Sequence, residues 1–539
     1  MKTGLGARGR GFWTICLTLL FFVTGVAWAF SSSTGTSPDS DYHLTSMWCP
    51  KGLSVSSCDE RIVNGTPTVV VPGSVANSSC TAFKPNVTGA CSLAISDQPE
   101  RTSRYDHGSY PYGYYEFHHL FVNSNLNVMV LTIRIVNVLI AAVILGALGW
   151  LLPTHLIPGF LFAIIGAWIP NGIYFIASVN PSSWSVTGMF AVAVGLTGVL
   201  TTRGSKRIGL TVVTAVGSLL CVASRGDATF LTAVVAVAVA VVFHRRILRD
   251  WNWTVPLGVF LVGIVMFLLG KQKETLFAGG ESTGAHALGS AAIGAVSTNG
   301  ATMGAIAATA APERPSFLRL FLMNILEYPN YFAGFYGSNS GKLGWMDVQL
   351  YPFAIYGMYF FFGILLVIGL RTFVWSQALA ALMILSTTVV IPAYFMAIRG
   401  ILANGYFQPR YMLPMLAVFL FFWLADMQAT EESVDTDGAY VTGPLHSWNF
   451  SSLQLGVACV FPILVNTFAL RSVINRYTLG ARNPKLGPID TNTWWWNIPV
   501  PPSAVWVAGS VGFIVAVAGI LIIMRRLGIV GSKGLQQSS

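Results

Sequence analysis

Residues 12–30 read FWTICLTLLFFVTGVAWAF, nineteen consecutive positions without a formal charge. A helix rises about 1.5 Å per residue, so this run nearly matches a hydrocarbon core about 30 Å thick. Lys2, Arg8 and Arg10 precede it and a polar stretch follows. Ala27-Trp28-Ala29 resembles a signal-peptide cleavage site, so a cleaved leader is one reading and a retained first helix the other. We read the helix as retained, because the apolar run is long for a signal core. Either reading puts residues 31–124 on the far side of the membrane.

Similar runs recur near residues 126–152, 157–178, 184–201, 207–223, 228–243, 254–270, 350–370, 376–398, 410–427, 449–470 and 502–524. With the first they make about twelve transmembrane helices. Barrel strands would be about half as long and would alternate in polarity. The chain is 54% hydrophobic and only 10% charged, where soluble domains carry about a quarter charged residues, so a soluble fold is excluded. The fold class is therefore an all-α polytopic membrane protein.

The net charge of +10 follows topology. Arg203, Lys206 and Arg207, then Arg245, Arg246 and Arg249, then Arg371, then Arg525, Arg526 and Lys533 all fall on one side if the helices alternate. That side reads as the cytoplasm, which places both termini there and the chain in an inner membrane. The basic residues read as topology determinants and not as a nucleic-acid surface; His244–Arg249 is the densest candidate for a polybasic lipid patch.

Of the seven cysteines, Cys16, Cys221 and Cys459 lie in apolar runs, while Cys49, Cys58, Cys80 and Cys91 share one polar stretch. No CxxC pair or His couplet suggests zinc, so two disulfides are expected, with their connectivity open, in an oxidising compartment. The chain divides into a cytoplasmic end and first helix (1–30), a small disulfide-bearing extracytoplasmic loop domain (31–124), helices two to seven (125–270), an outer loop (271–349), and the remaining helices and tail (350–539). In the outer loop, Gly279–Ala311 is rich in Ala, Gly and Thr without periodicity, and Ser316–Tyr336 suits a helix lying at the interface. A further outer segment, 471–501, carries Trp494-Trp495-Trp496, read as an interfacial anchor.

Ionisable groups at the outer helix ends are the candidates for chemistry. In Pro38-Asp39-Ser40-Asp41-Tyr42-His43, two carboxylates and an imidazole fall within five residues. They could deprotonate a hydroxyl or hold a divalent cation; the plain alternative is a solvated Asp/Ser-rich linker. Arg104, Arg225, Asp227, Asp347, Arg399 and Arg410 lie at the same level, and converging guanidinium groups would suit a phosphate. No GxxxxGK[ST] loop, GxSxG elbow or HExxH helix is present, so ATP-driven pumps and the familiar hydrolases gain no support.

Several segments, in order, resemble one family. They are Pro38–His43 with Met47-Trp48-Cys49, Tyr110-Pro111-Tyr112-Gly113-Tyr114-Tyr115, Arg134-Ile135-Val136-Asn137 and Asn180-Pro181-Ser182-Ser183-Trp184. Ser224-Arg225-Gly226-Asp227-Ala228, Tyr336 with Leu343-Gly344-Trp345-Met346-Asp347, and Gln408-Pro409-Arg410-Tyr411-Met412-Leu413-Pro414 follow. The chain is similar to the bacterial predicted membrane proteins catalogued as domain of unknown function 2142, in an actinobacterial-type form. That family in turn resembles the GT-C superfamily of glycosyltransferases. The resemblance implies a GT-C-like fold, a polyprenyl-phosphate sugar donor, a cell-envelope glycan acceptor and an outward-facing site. It implies Asp39 or Asp41 as general base with His43 beside them, and Arg225 or Arg410 near the donor phosphate. Arg104, Asn180, Trp184, Asp227, Trp345 and Asp347 complete the expected substrate-binding set. No resident cofactor or metal is expected beyond an optional divalent cation. Ser40 stands where the family commonly has Glu, and Pro409 where it commonly has Gly. The rival readings are a transporter or flippase of lipid-linked saccharide, and a non-enzymatic cell-wall assembly protein.

Overall fold

The computed structural model describes residues 7–51, 58–250, 253–270, 315–370, 374–402, 407–427, 433–434, 440–441, 448–481, 489–491 and 493–530. The Gly279–Ala311 stretch lies outside the described residues. Among those described, eight helices are long and apolar enough to cross a membrane: Gly9–Phe30, Leu126–Leu151, Ser182–Thr201, Gly204–Ser224, Pro352–Gly369, Trp375–Ile398, Ser452–Leu479 and Pro502–Arg526. The other expected spans are shorter apolar helices, Gly226–Val242, Thr254–Leu269 and Leu413–Leu424, together with a broken segment.

The break replaces the continuous span expected over 157–178. Helix Ile157–Trp168 ends before Pro170, and Asn171–Ile176 forms a separate short helix. Pro170 lacks an amide proton and its ring would collide with the preceding turn, so one straight helix cannot pass through it. In the opposite sense, the helix expected over 449–470 runs on to Leu479, stopping at Gly480 with φ 81°. It begins with a capping box between Ser451 and Gln454. Part of the expected outer segment 471–501 is therefore helix, and it projects Arg476 toward the loop domain.

Ser182–Thr201 is buried along its whole length and forms the centre of the bundle. Its neighbour Gly204–Ser224 approaches closely: a Cβ on Gly188 would stand 2.6 Å from the carbonyl oxygen of Gly217. Small residues at such a seam let two backbones touch, which in a membrane replaces the hydrophobic drive for helix association. The first helix packs against Leu126–Leu151 and Pro502–Arg526.

The loop domain contains helix Ser40–Trp48 and an antiparallel sheet in which Thr66–Pro72 lies between Glu60–Val63 and Pro99–Thr102. Glu60 pairs with Val69, and Val69 with Thr102. Asn64-Gly65, both with positive φ, turns the first hairpin, as an Asn-Gly pair commonly does. Two disulfides are present, Cys49–Cys58 and Cys80–Cys91, each joining near neighbours in sequence. The interfacial segment resolves into helices Phe317–Leu326 and Tyr328–Ala333.

A polar linker joins the first helix to this domain, and it is buried. Ser31, Ser33, Thr34, Thr36 and Ser37 are all within 1% of complete burial. Arg134, in the helix Leu126–Leu151, accounts for this. Its Nη1 donates to the carbonyls of Ala29 (2.9 Å) and Ser32 (2.6 Å), and its Nη2 to Ser33 O (2.7 Å) and Thr36 Oγ1 (3.2 Å). A charged donor meeting carbonyls at the end of a helix is favoured by the helix dipole as well as by the hydrogen bonds. The linker also passes so near the loop domain that a Cβ on Gly35 would collide with the carbonyl of Ser78, and Gly35 has φ 70°. Arg134→Met, which keeps the apolar stem but strands those carbonyls, should cost about 3 kcal/mol or more of stability. Thermal unfolding of the detergent-solubilised protein measures it, and an unchanged transition would show that the linker is held by other contacts.

Candidate functional site

The buried linker ends at Pro38, whose carbonyl accepts a hydrogen bond from Asn180 Nδ2 at 3.1 Å. Asn180 Oδ1 in turn accepts from the Ser182 amide at the start of the central helix. Asp39 follows with φ 60° and ψ 23°, a left-handed conformation that Asp tolerates better than most residues. It stands at the N-cap of helix Ser40–Trp48, yet its side chain makes no cap hydrogen bond there. The carboxylate goes elsewhere: Arg410 Nη2 reaches Oδ2 at 3.0 Å and Arg104 Nη2 lies 3.5 Å from Oδ1.

Arg104 also grips Asp41 through two parallel bonds, Nε to Oδ2 at 2.9 Å and Nη2 to Oδ1 at 3.0 Å. Tyr42 donates to Asp106 Oδ1 at 2.9 Å, and Asp106 additionally accepts the Ser109 and Tyr110 amides. His43 shares a 2.9 Å hydrogen bond between Nδ1 and the Tyr115 hydroxyl and is 2% exposed. The solvated-linker alternative for 38–43 is thus replaced by a packed, ion-paired cluster.

Arg225 and Arg410 stand across from it. Arg225 sits in the sharp turn between helices Gly204–Ser224 and Gly226–Val242, in extended conformation. It is held by Asp227 through bonds of 2.9 and 2.7 Å and extends Nη1 to Ser182 Oγ at 3.4 Å. Arg410 sits in the short turn Pro409–Tyr411 ahead of Leu413–Leu424. The guanidinium carbons of Arg225 and Arg410 lie 4.6 and 5.2 Å from the centre of the Tyr411 ring. Arg410 is buried, and its Nε and Nη1 have no hydrogen-bond partner among the described residues. Two guanidinium groups thus share one ring, each already paired with a carboxylate, and Arg410 keeps two buried donors in reserve.

Exposure separates the candidate carboxylates. The Asp39 side chain is 41% accessible, against 14% for Asp41, 16% for Asp227 and 15% for Asp347. Burial in the cluster pushes the Asp39 carboxyl up, but the Arg410 guanidinium, with Arg104 behind it, outweighs this and holds it below the ordinary carboxylate value. His43 is pushed down to about 3 by burial, to which the nearby arginines add, so it is neutral near pH 7. Asp106 is raised by its burial.

Beside this cluster an apolar pocket of about 200 Å³ runs between helices, lined by Phe230, Leu231, Phe267, Val390, Phe395 and Met412, with Asp227 at its edge. Asp227 pairs with Arg225, and Met412 lies two residues from Arg410, so the pocket adjoins the arginine pair.

The remaining expected site residues take framework contacts. Trp184 donates to Asn137 Oδ1 at 3.1 Å and packs on Tyr114 and Phe117. Trp345 donates to the Gly35 carbonyl at 2.8 Å. Asp347 pairs with Arg476, whose other donors reach the carbonyls of Val87, Thr81 and Lys84 in the loop domain. The Asp347–Arg476 pair therefore fastens the loop domain to the bundle. Sequence reasoning passed over Arg134 and Arg476 as working residues. For Arg134 the available signal was a lone arginine within an apolar run, which is costly unless partnered; Arg476, in a polar segment with Arg471 and Arg482, carried no such signal. Among the described residues no three His, Cys, Asp or Glu side chains gather to ligate a metal ion.

Comparison with known proteins places the chain in a family of membrane proteins. It belongs to the family described as "Predicted membrane protein (DUF2142)", whose model matches residues 21–419. Every expected site residue falls within that match, whereas Arg476 lies beyond it. No curated protein and no solved structure matches the chain.

The low pKa of His43 has a consequence for stability. Above the unfolded value of about 6.5 both states are neutral and nothing is lost; below it the unfolded chain takes up a proton that the native state refuses. Stability should therefore fall as pH drops from about 6.5 toward about 3. Between about pH 7.5 and about pH 5 the difference in melting temperature between wild type and His43→Gln should move in favour of the variant. A difference that stays constant would mean that His43 is protonated alike in both states.

Proposed function

We propose that this protein is a membrane glycosyltransferase that moves a sugar from a polyprenyl-phosphate donor to a cell-envelope glycan on the extracytoplasmic face. The carrying observation is the pair of guanidinium groups at Tyr411: Arg225 and Arg410 share its ring, with two Arg410 donors unused, next to the half-open carboxylate of Asp39 and beside an apolar pocket. A lipid-linked sugar phosphate has these two halves, an anion at the interface and an apolar chain below it.

In this reading the acceptor hydroxyl attacks the anomeric carbon while Asp39 takes its proton. The new bond joins the acceptor oxygen to the anomeric carbon, and the bond from that carbon to the phosphate oxygen breaks. The electron pair leaves with the polyprenyl phosphate, whose charge Arg410 and Arg225 stabilise. Arg104 holds Asp41 and braces Asp39, so Asp41 is a positioning group. Asp39 is ionised at neutral pH, as a base must be, and the arginines that hold it lower its basicity. No nucleotide is consumed, in keeping with the absence of a phosphate-binding loop in the sequence. The short apolar helices complete a GT-C-like bundle of about twelve spans in a bacterial inner membrane, with the disulfide domain outside and both termini in the cytoplasm.

Purified protein supplied with polyprenyl-phosphate sugars and a cell-wall glycan acceptor tests this. Asp39→Asn should lower kcat by about 10² to 10⁴-fold, the usual worth of a general base, and Asp41→Asn by less. Arg410→Ala should weaken donor binding and move the acid limb of the pH profile upward, because Asp39 loses the charge that lowers its pKa. Transfer that survives Asp39→Asn would refute the base; no transfer with any donor would favour a transporter of the same lipid-linked sugar.

A further inference from the structure

The opposite end of the bundle carries a second cavity, unconnected with the cluster at Asp39. It lies between the first helix, the end of Leu126–Leu151, helix Ile157–Trp168, and the last helix, Pro502–Arg526, and has a volume of about 130 Å³. Its walls include Leu17, Phe21, Ile164, Trp168, Phe513 and Ala516. On the first helix its lining runs from Arg10 to Thr24, fourteen positions, or about 21 Å along the axis. One leaflet of hydrocarbon is about 15 Å deep, so the cavity spans a leaflet from the interface past the midplane.

Its mouth is cationic. Arg10 lines it and is fixed there by donating to the carbonyls of Gly149, at 3.0 Å, and Leu152. Arg526 is exposed at the end of the last helix, with its guanidinium 5.6 Å from the ring centre of Trp13, which also lines the cavity. The basic ends of two helices thus meet over one apolar slot, at the end of the bundle remote from the disulfides.

We propose that this cavity is a binding site for an anionic phospholipid of the cytoplasmic leaflet, with one acyl chain in the slot and its phosphate between Arg10 and Arg526. Charge complementarity selects this occupant. A zwitterionic lipid or a neutral detergent would fill the slot equally but would have no net charge to match the two guanidinium groups. The lipid ties the first helix to the last. The first helix leads into the linker that carries Asp39, so bilayer composition would act on the outer face through that helix. Binding itself does not depend on the glycosyltransferase reading.

The test is native mass spectrometry of the full chain released from detergent containing equal amounts of phosphatidylglycerol and phosphatidylcholine. Wild type should retain phosphatidylglycerol in at least about fivefold preference, a ratio within the range of ordinary site coupling. Arg526→Gln, at an exposed position, should bring the ratio toward parity, and Ala516→Trp, which fills the slot, should abolish retention. Circular dichroism and the melting profile confirm that each variant is folded; if Ala516→Trp fails to fold, Arg526→Gln alone decides. Parity in the wild type, or a preference that a folded variant leaves intact, overturns the proposal.

Discussion

A single buried arginine organises the half of this protein that carries the disulfides. Arg134 reaches out of its helix to three carbonyls and one hydroxyl of the segment that leaves the first helix. A charge at such a place is tolerated only when most of its donors are satisfied, as both Arg134 Nη atoms are, and a polar linker is buried only when its carbonyls find donors. Each meets the other's need. The linker is consequently fixed in space, and with it Asp39, which follows Thr36 by three residues.

From that fixed point the site is assembled by opposite charges drawn from distant parts of the chain. Asp39 and Asp41 come from the loop domain, Arg104 from its far end, Arg225 from a turn between two helices, and Arg410 from the turn before another. Three of the acidic groups are largely consumed by their partners: Asp41 by Arg104, Asp227 by Arg225 and Asp347 by Arg476. What remains is one accessible carboxylate and an arginine with unused donors, set beside an apolar pocket. This asymmetry, more than the number of charged residues, gives the cluster its chemical direction.

The two ends of the molecule answer different environments. One end holds polar groups inside a folded, disulfide-bearing domain, with Asp347 and Arg476 binding that domain to the bundle. The other end presents arginines over an apolar slot. The first helix belongs to both, because it begins at Arg10 among the basic residues and ends where Arg134 collects its carbonyls.

Much of the helical plan was legible in the sequence, since apolar runs of span length have no other use at this frequency. So was the disulfide domain, from four cysteines in one polar stretch, and so was Asp39 as a candidate, from its density of ionisable neighbours. The break at Pro170 and the extension to Leu479 were not, because window hydropathy measures length and polarity and is blind to local backbone geometry. The sequence by itself determined a multi-helix membrane protein with a polar, disulfide-bearing domain and a list of ionisable groups at the helix ends. Only the tertiary structure decided which of those groups meet. Asp39 and Arg410 are separated by 371 positions, and the Coulomb energy that joins them depends on distance in space, which no spacing along the chain encodes.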